Sequence, residues 1–155
     1  MIDNRKAGGL RTSPFTILTN NDIQRLLCEI KAIDADSNIF LFNIGLRTGY
    51  NDETGYINIR GDVMPDEKST HPRDIMSERA VLAHEYYGHY KFVPSKFEAG
   101  DWRDEFRASY IAAIKSPNLS KNDRCYLMLD AYERAKEGGH IIEYNKKARE
   151  IIYGR

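Results

Sequence analysis

RDIMSERAVLAHEYYGHY, from Arg73 to Tyr90, is a stretch half of whose residues are apolar, with two of the chain's four histidines in its second half. Pro72 precedes it, where a missing N–H leaves no intrahelical bond unmade, and Pro94 follows it. Ile75, Met76, Ala80, Leu82 and Ala83 supply a buried face, so one helix is expected over about 73–90. Upstream, Tyr56-Ile57-Asn58-Ile59-Arg60 alternates apolar and polar side chains, as a half-buried strand does. Asn38 to Ile44 is rich in aromatic and β-branched residues and reads as a second, buried strand. The two are expected to pair antiparallel across a loop from Gly45 to Gly55, with the alternating strand at the edge. Downstream, helices are expected over Asp101–Lys115, from Ser120 or Asn122 to the Gly138-Gly139 stop, and over Ile141–Ile152. An earlier helix, Asp22–Ile33, is capped by Asn20 or Asn21. Residues 1–18, with Gly8, Gly9 and Pro14, read as an irregular, partly mobile entry. The class is therefore α+β: a small antiparallel sheet packed with several helices, with two central helices facing each other.

Composition bounds what such a domain does. The 155 residues suffice for a single domain, with 41% hydrophobic and 30% charged residues, as in globular proteins. Lys plus Arg equals Asp plus Glu at 23 each, so no cationic surplus exists to displace counterions, and nucleic acid is not an expected partner. Lys146, Lys147, Arg149 and Arg155 cluster at the C-terminus and read as a solvated helix face or fraying tail. No apolar run has signal-peptide or membrane-spanning length, which makes the cytoplasm the expected compartment. Cys28 and Cys125 share no metal-ligand spacing and are expected to be buried free thiols.

The chemistry concentrates in His84-Glu85-Tyr86-Tyr87-Gly88-His89. Zinc-dependent hydrolysis needs two neutral imidazoles on one ion and a carboxylate that takes the proton of a water the ion acidifies. Histidines four apart lie about 40° apart around an α-helix, whereas five apart they diverge by about 140°. The spacing here is five, so His84 and His89 share an ion only if the turn holds one extra residue, a π-bulge. Gly88, directly before His89, gives the backbone freedom for that. At the shorter spacing the ligand position would be Gly88, which has no side chain. The bland alternative is two ordinary helix histidines, with Glu85 a surface charge.

This hexapeptide resembles the H-E-x-x-G-H signature of the dipeptidyl peptidase III family of zinc peptidases. In that family the extra residue is accommodated in the zinc-binding helix and a glutamate of an E-E-x-R-A-type motif is the third ligand. Asp104-Glu105-Phe106-Arg107-Ala108 resembles that motif with Asp for the first Glu, which implies Glu105 as third ligand. The continuation to Ala113 also resembles the glutamate helix of ImmA/IrrE-type metallopeptidases, and the order of elements is similar to that of small gluzincins. The likeness spans roughly residues 55–113. What it implies is a gluzincin-type zinc peptidase, with Zn2+ as cofactor and a peptide or protein as substrate.

Apart from the resemblance, Ala108, Ser109, Ala112 and Ala113 share the face of Glu105, so a second helix could approach closely there. A carboxylate on such a face is costly unless paired. It is a ligand, or else a solvated glutamate or one paired with Arg107 or Arg103. Secondary candidates are Tyr110 and His140, either of which could stabilise an oxyanion; the alternatives are packing for Tyr110 and helix capping for His140. His71 reads as a cap or loop residue before Pro72, with an oxyanion donor as its alternative. Asp101 and Asp104 either start their helix or accept from ligand imidazoles, the helix-start reading being preferred. The expected function is a zinc-dependent peptidase with Glu85 as general base and Tyr56–Arg60 as a pairing edge for substrate. The alternatives are a scaffold with a closed four-ligand zinc site, completed by His140 or Asp101, and a metal-free interaction protein.

Overall fold

A computed structural model describes residues 11–98 and 100–154. The first helix, α1 (Asn20–Ala32), begins at Thr19 rather than at an asparagine cap. The Thr19 hydroxyl accepts from the Asp22 N–H while the Asp22 carboxylate accepts from the Thr19 N–H, a reciprocal box that serves two otherwise orphaned donors. Leu26, Ile30 and Ile33 of this region are fully enclosed. Cys28 lies two positions from Leu26 and Ile30, on the opposite side of the helix, and is exposed; Cys125 is half-buried. Both thiols are free; the expectation of burial fails for Cys28 on that periodicity and holds only in part for Cys125.

The sheet is mixed, with order β1-β3-β2. Strand β1 (Phe40–Phe42) runs parallel to β3 (Tyr56–Ile59), and β2 (Gly49–Asn51) runs antiparallel to it. The α+β class holds, while the antiparallel pairing of the two expected strands does not. The reason lies in the segment read as a loop. Gly49-Tyr50-Asn51 folds back through the Asp52–Gly55 turn and takes one side of β3, leaving β1 the other. With Ile57 and Ile59 fully buried, β3 is the central strand, and β2 forms an edge.

The expected helix over 73–90 is broken. It divides into α2 (Pro72–Ile75), α3 (Glu78–Ala83), a π-helical turn (His84–His89) and a 3-10 turn (Tyr90–Phe92). His71 caps α2, its Nδ1 accepting from the Arg73 N–H at 3.2 Å. The break falls at Met76, whose backbone is extended, because Ser77 caps α3 by accepting from the Ala80 N–H. The Ser77 hydroxyl donates to Asp123 at 2.6 Å, fastening that cap to the next layer.

Three longer elements follow: α4 (Trp102–Lys115), α5 (Lys121–Glu137) and α6 (Lys146–Tyr153). Their N-caps are Asp101, Ser120 and Asn145, each accepting from a first-turn N–H. The last helix starts later than expected, and Ile141 is 90% exposed in the connection before it. Lys146, Lys147 and Arg149 are exposed on α6, as expected of a solvated face; Arg155 lies outside the described residues.

The core joins Leu26 and Ile30 of α1, the β3 isoleucines, Leu82 of α3 and Leu127 and Met128 of α5. Enclosing each such side chain contributes about 1.5–3 kcal/mol. Of the expected irregular entry, residues 1–10 lie outside the described part. Arg11 is tied down: its buried guanidinium donates to the carbonyls of Asp62, Val63, Arg73, Asp74 and Met76. Among the described residues no helix is long and apolar enough to cross a membrane.

Candidate metal centre

The π-helical turn is the extra residue that the histidine spacing requires. It brings the rings of His84 and His89 to a centroid separation of 4.9 Å and their Nε2 atoms to 3.2 Å. Gly88 serves it differently from the expectation of backbone freedom. A Cβ there would lie 2.5 Å from the Ala108 carbonyl oxygen and 2.7 Å from the Ala108 Cβ, so glycine lets the turn rest directly on α4. Arg107 closes the contact by donating to the Gly88 carbonyl at 2.8 Å.

The small face of α4, with Ala108, Ser109, Ala112 and Ala113 buried, delivers Glu105 to the two imidazoles. Its Oε1 lies 3.2 Å from His84 Nε2 and its Oε2 lies 3.1 Å from His89 Nε2. A tetrahedral ion with bonds of 2.0–2.1 Å separates its ligand atoms by about 3.3 Å, so the edges of this triangle have the length zinc needs, its carboxylate corner being two oxygens, one facing each imidazole.

The protons on the far sides of the rings can be assigned. Asp130 is ionised and accepts from the Ser109 hydroxyl at 2.7 Å, so that oxygen can only accept from His84 Nδ1, 2.8 Å away. Asp104 Oδ2 lies 3.3 Å from His89 Nδ1 and likewise takes its proton. Both Nε2 lone pairs therefore point at each other and at a carboxylate. Such a convergence of acceptors needs a cation at its centre, whether a proton or a metal ion. The titration behaviour says the same. Burial alone would pull His89 down, but Glu105, Asp104 and Glu85 raise it to about 10. Burial would raise Glu105, yet His89, His84 and Arg134 hold it well below the usual carboxylate range.

Glu85 is 3% exposed and lies beside the triangle, its Oε2 4.0 Å from His84 Nε2. Its Oε1 accepts from the backbone N–H of Tyr50 at 3.2 Å, so that N–H points off the edge of β2, away from β3. Glu85, His89 and Glu105 open onto a cleft of about 640 Å3, walled by β2 on one side and by Val93, Pro94 and Phe97 on the other.

Among the sequence candidates, the structure brings together His84, Glu85, His89 and Glu105. Tyr110 and His140 are elsewhere, outside the cleft. The Tyr110 hydroxyl accepts from Asn145 at 2.9 Å and its ring stacks on Phe106; His140 is exposed and stacked on Trp102. Asp101 caps α4 and pairs with Arg103 at 2.9 Å, so neither residue expected to close the site with a fourth ligand is near it. Asp104, expected chiefly as a helix-start residue, instead faces His89 and also accepts from Ser95 at 2.6 Å and Arg107 at 2.7 Å. Sequence reasoning missed Asp130 and Arg134. Their signal is present: they lie four apart among Leu127, Met128, Ala131 and Ala135, charges on a buried stripe. Arg134 Nη1 lies 3.5 Å from Glu105 Oε1 and lines the cleft.

Comparison with protein-family models, curated proteins and solved structures gives no match for this chain.

Proposed function

We propose that this protein is a zinc-dependent hydrolase that cleaves peptide bonds, of the gluzincin type. The observation that carries the reading is the convergence of His84 Nε2 and His89 Nε2, 3.2 Å apart, each 3.1–3.2 Å from one oxygen of the Glu105 carboxylate, beside an open cleft that His89 and Glu105 line. These residues would hold the ion, and three protein ligands leave a position for a reactant, as catalytic zinc sites do. The ion, when bound, supplies Lewis acidity to a water and to the carbonyl under attack.

The chain's own residues do the rest. Glu85 accepts the proton of the attacking water and returns it to the departing amine. With the ion bound, His84 and His89 would donate lone pairs from Nε2, held in orientation by Ser109 and Asp104. The open edge of β2, rather than the central β3, offers an extended peptide backbone pairing beside the cleft. A cytoplasmic location belongs to the same proposal, in keeping with two free thiols.

Glu85→Gln keeps shape and hydrogen bonding while removing the base. The expected result is a fall in peptide turnover of about 10²–10⁴-fold with one zinc per chain retained in untagged protein. Wild-type turnover in that variant would reject the mechanism. The second reading is a zinc-binding or metal-free scaffold without activity. Its prediction is that wild-type protein and E85Q are equally inert across a library of unstructured peptides.

A further inference from the structure

Two buried residues behind the proposed metal centre are neither ligand nor base in the chemistry proposed above. Ser109 is fully buried on α4 and Asp130 is 1% exposed on α5. Asp130 is clamped: Arg73 Nε of α2 donates to its Oδ1, and Arg134 Nε donates to its Oδ2 at 3.2 Å. The same Oδ2 accepts the Ser109 hydroxyl at 2.7 Å, and Ser109 Oγ faces His84 Nδ1 at 2.8 Å.

A serine hydroxyl has one proton, so in a chain of this kind its direction is decided by whichever neighbour cannot donate. A carboxylate between two arginines is acceptor-only. The hydroxyl must then point to α5, and its lone pair must receive a proton from His84. We infer that Ser109 and Asp130 are positioning residues that lock His84 into the Nδ1–H tautomer and so set the affinity of the centre for its metal. His89 is held by a carboxylate directly; His84 is held by one at second remove, so its tautomer depends on a helix that contributes no ligand.

The inference rests on the zinc reading for its second half only, since the tautomer exists with or without metal. Its test is 15N NMR of histidine-labelled, metal-free protein, with zinc affinity measured separately by chelator competition. Wild-type His84 is expected to carry its proton on Nδ1. Asp130→Asn can present an amide N–H to Ser109, turning the hydroxyl toward His84 and moving the imidazole proton to Nε2. Ser109→Ala removes the acceptor and leaves His84 a mixture of tautomers. Each variant is expected to lose about 10–100-fold in zinc affinity, and Ser109→Thr, which keeps the hydroxyl, to stay within a few-fold of wild type.

Should Asp130→Asn fail to fold with two arginines facing a neutral amide, Ser109→Ala decides alone, because it leaves every ion pair in place. A wild-type His84 protonated on Nε2, or a Ser109→Ala protein with unchanged spectrum and unchanged affinity, overturns the inference. Absence of zinc binding by wild-type protein rejects the zinc reading and the affinity half, while the spectra still decide the tautomer.

Discussion

At the scale of single residues, the proposed zinc and a proton would compete for His89. Its folded value of about 10 lies above the ordinary 6.5 for the imidazole, because three carboxylates outweigh its burial. In metal-free protein the protonated ring therefore contributes stability that is complete below pH ~6.5 and is lost as pH rises toward 10. A metal needs the same nitrogen bare. Zinc binding near pH 7.5 is expected to release about one proton per chain, read as the dependence of the calorimetric heat on buffer ionisation enthalpy. Affinity should rise with pH through the same window. A heat independent of buffer would mean that His89 is already neutral.

At the scale of elements, the π-helical turn and α4 form one unit through Gly88. Adding a methyl group there places it within 2.7 Å of Ala108 Cα and Cβ, so the turn must lift or α4 must shift. Gly88→Ala is expected to cost about 1–3 kcal/mol in stability and to abolish stoichiometric zinc, measured by thermal unfolding and by metal analysis. The extra residue between the histidines was legible because the spacing itself demanded it. The reason for Gly88 was not, since it depends on Ala108, twenty positions on. Caps were legible in kind, as Ser120 and Asp101 illustrate, because capping is local. The strand order was not. Gly49-Tyr50-Asn51 carries turn-forming residues, and only its pairing with Tyr56–Ile57–Asn58 across the sheet makes it a strand. The break at Met76 had a signal, a helix-capping serine at the next position, that the apolar periodicity on either side overrode.

At the scale of the whole molecule, α2 and α5 are joined by a buried charge cluster. Arg73, 2% exposed, pairs with Asp130 and with Glu137 at 2.9 Å, and Asp130 is held far below the usual carboxylate range, since Arg134 and Arg73 outweigh its burial. Arg73→Met removes one partner of a buried pair and is expected to cost about 3–5 kcal/mol by urea unfolding. If zinc occupies the centre, metal at a hundred times its dissociation constant should return about 2.7 kcal/mol of stability, and a chelator should withdraw it. The sheet and the helices also meet where Tyr50 gives its backbone proton to Glu85. That donor can serve one acceptor well. A strand annealing along β2 competes for it. On the proposed function, a guest lying on that edge and the glutamate beneath it would contend for a single donor.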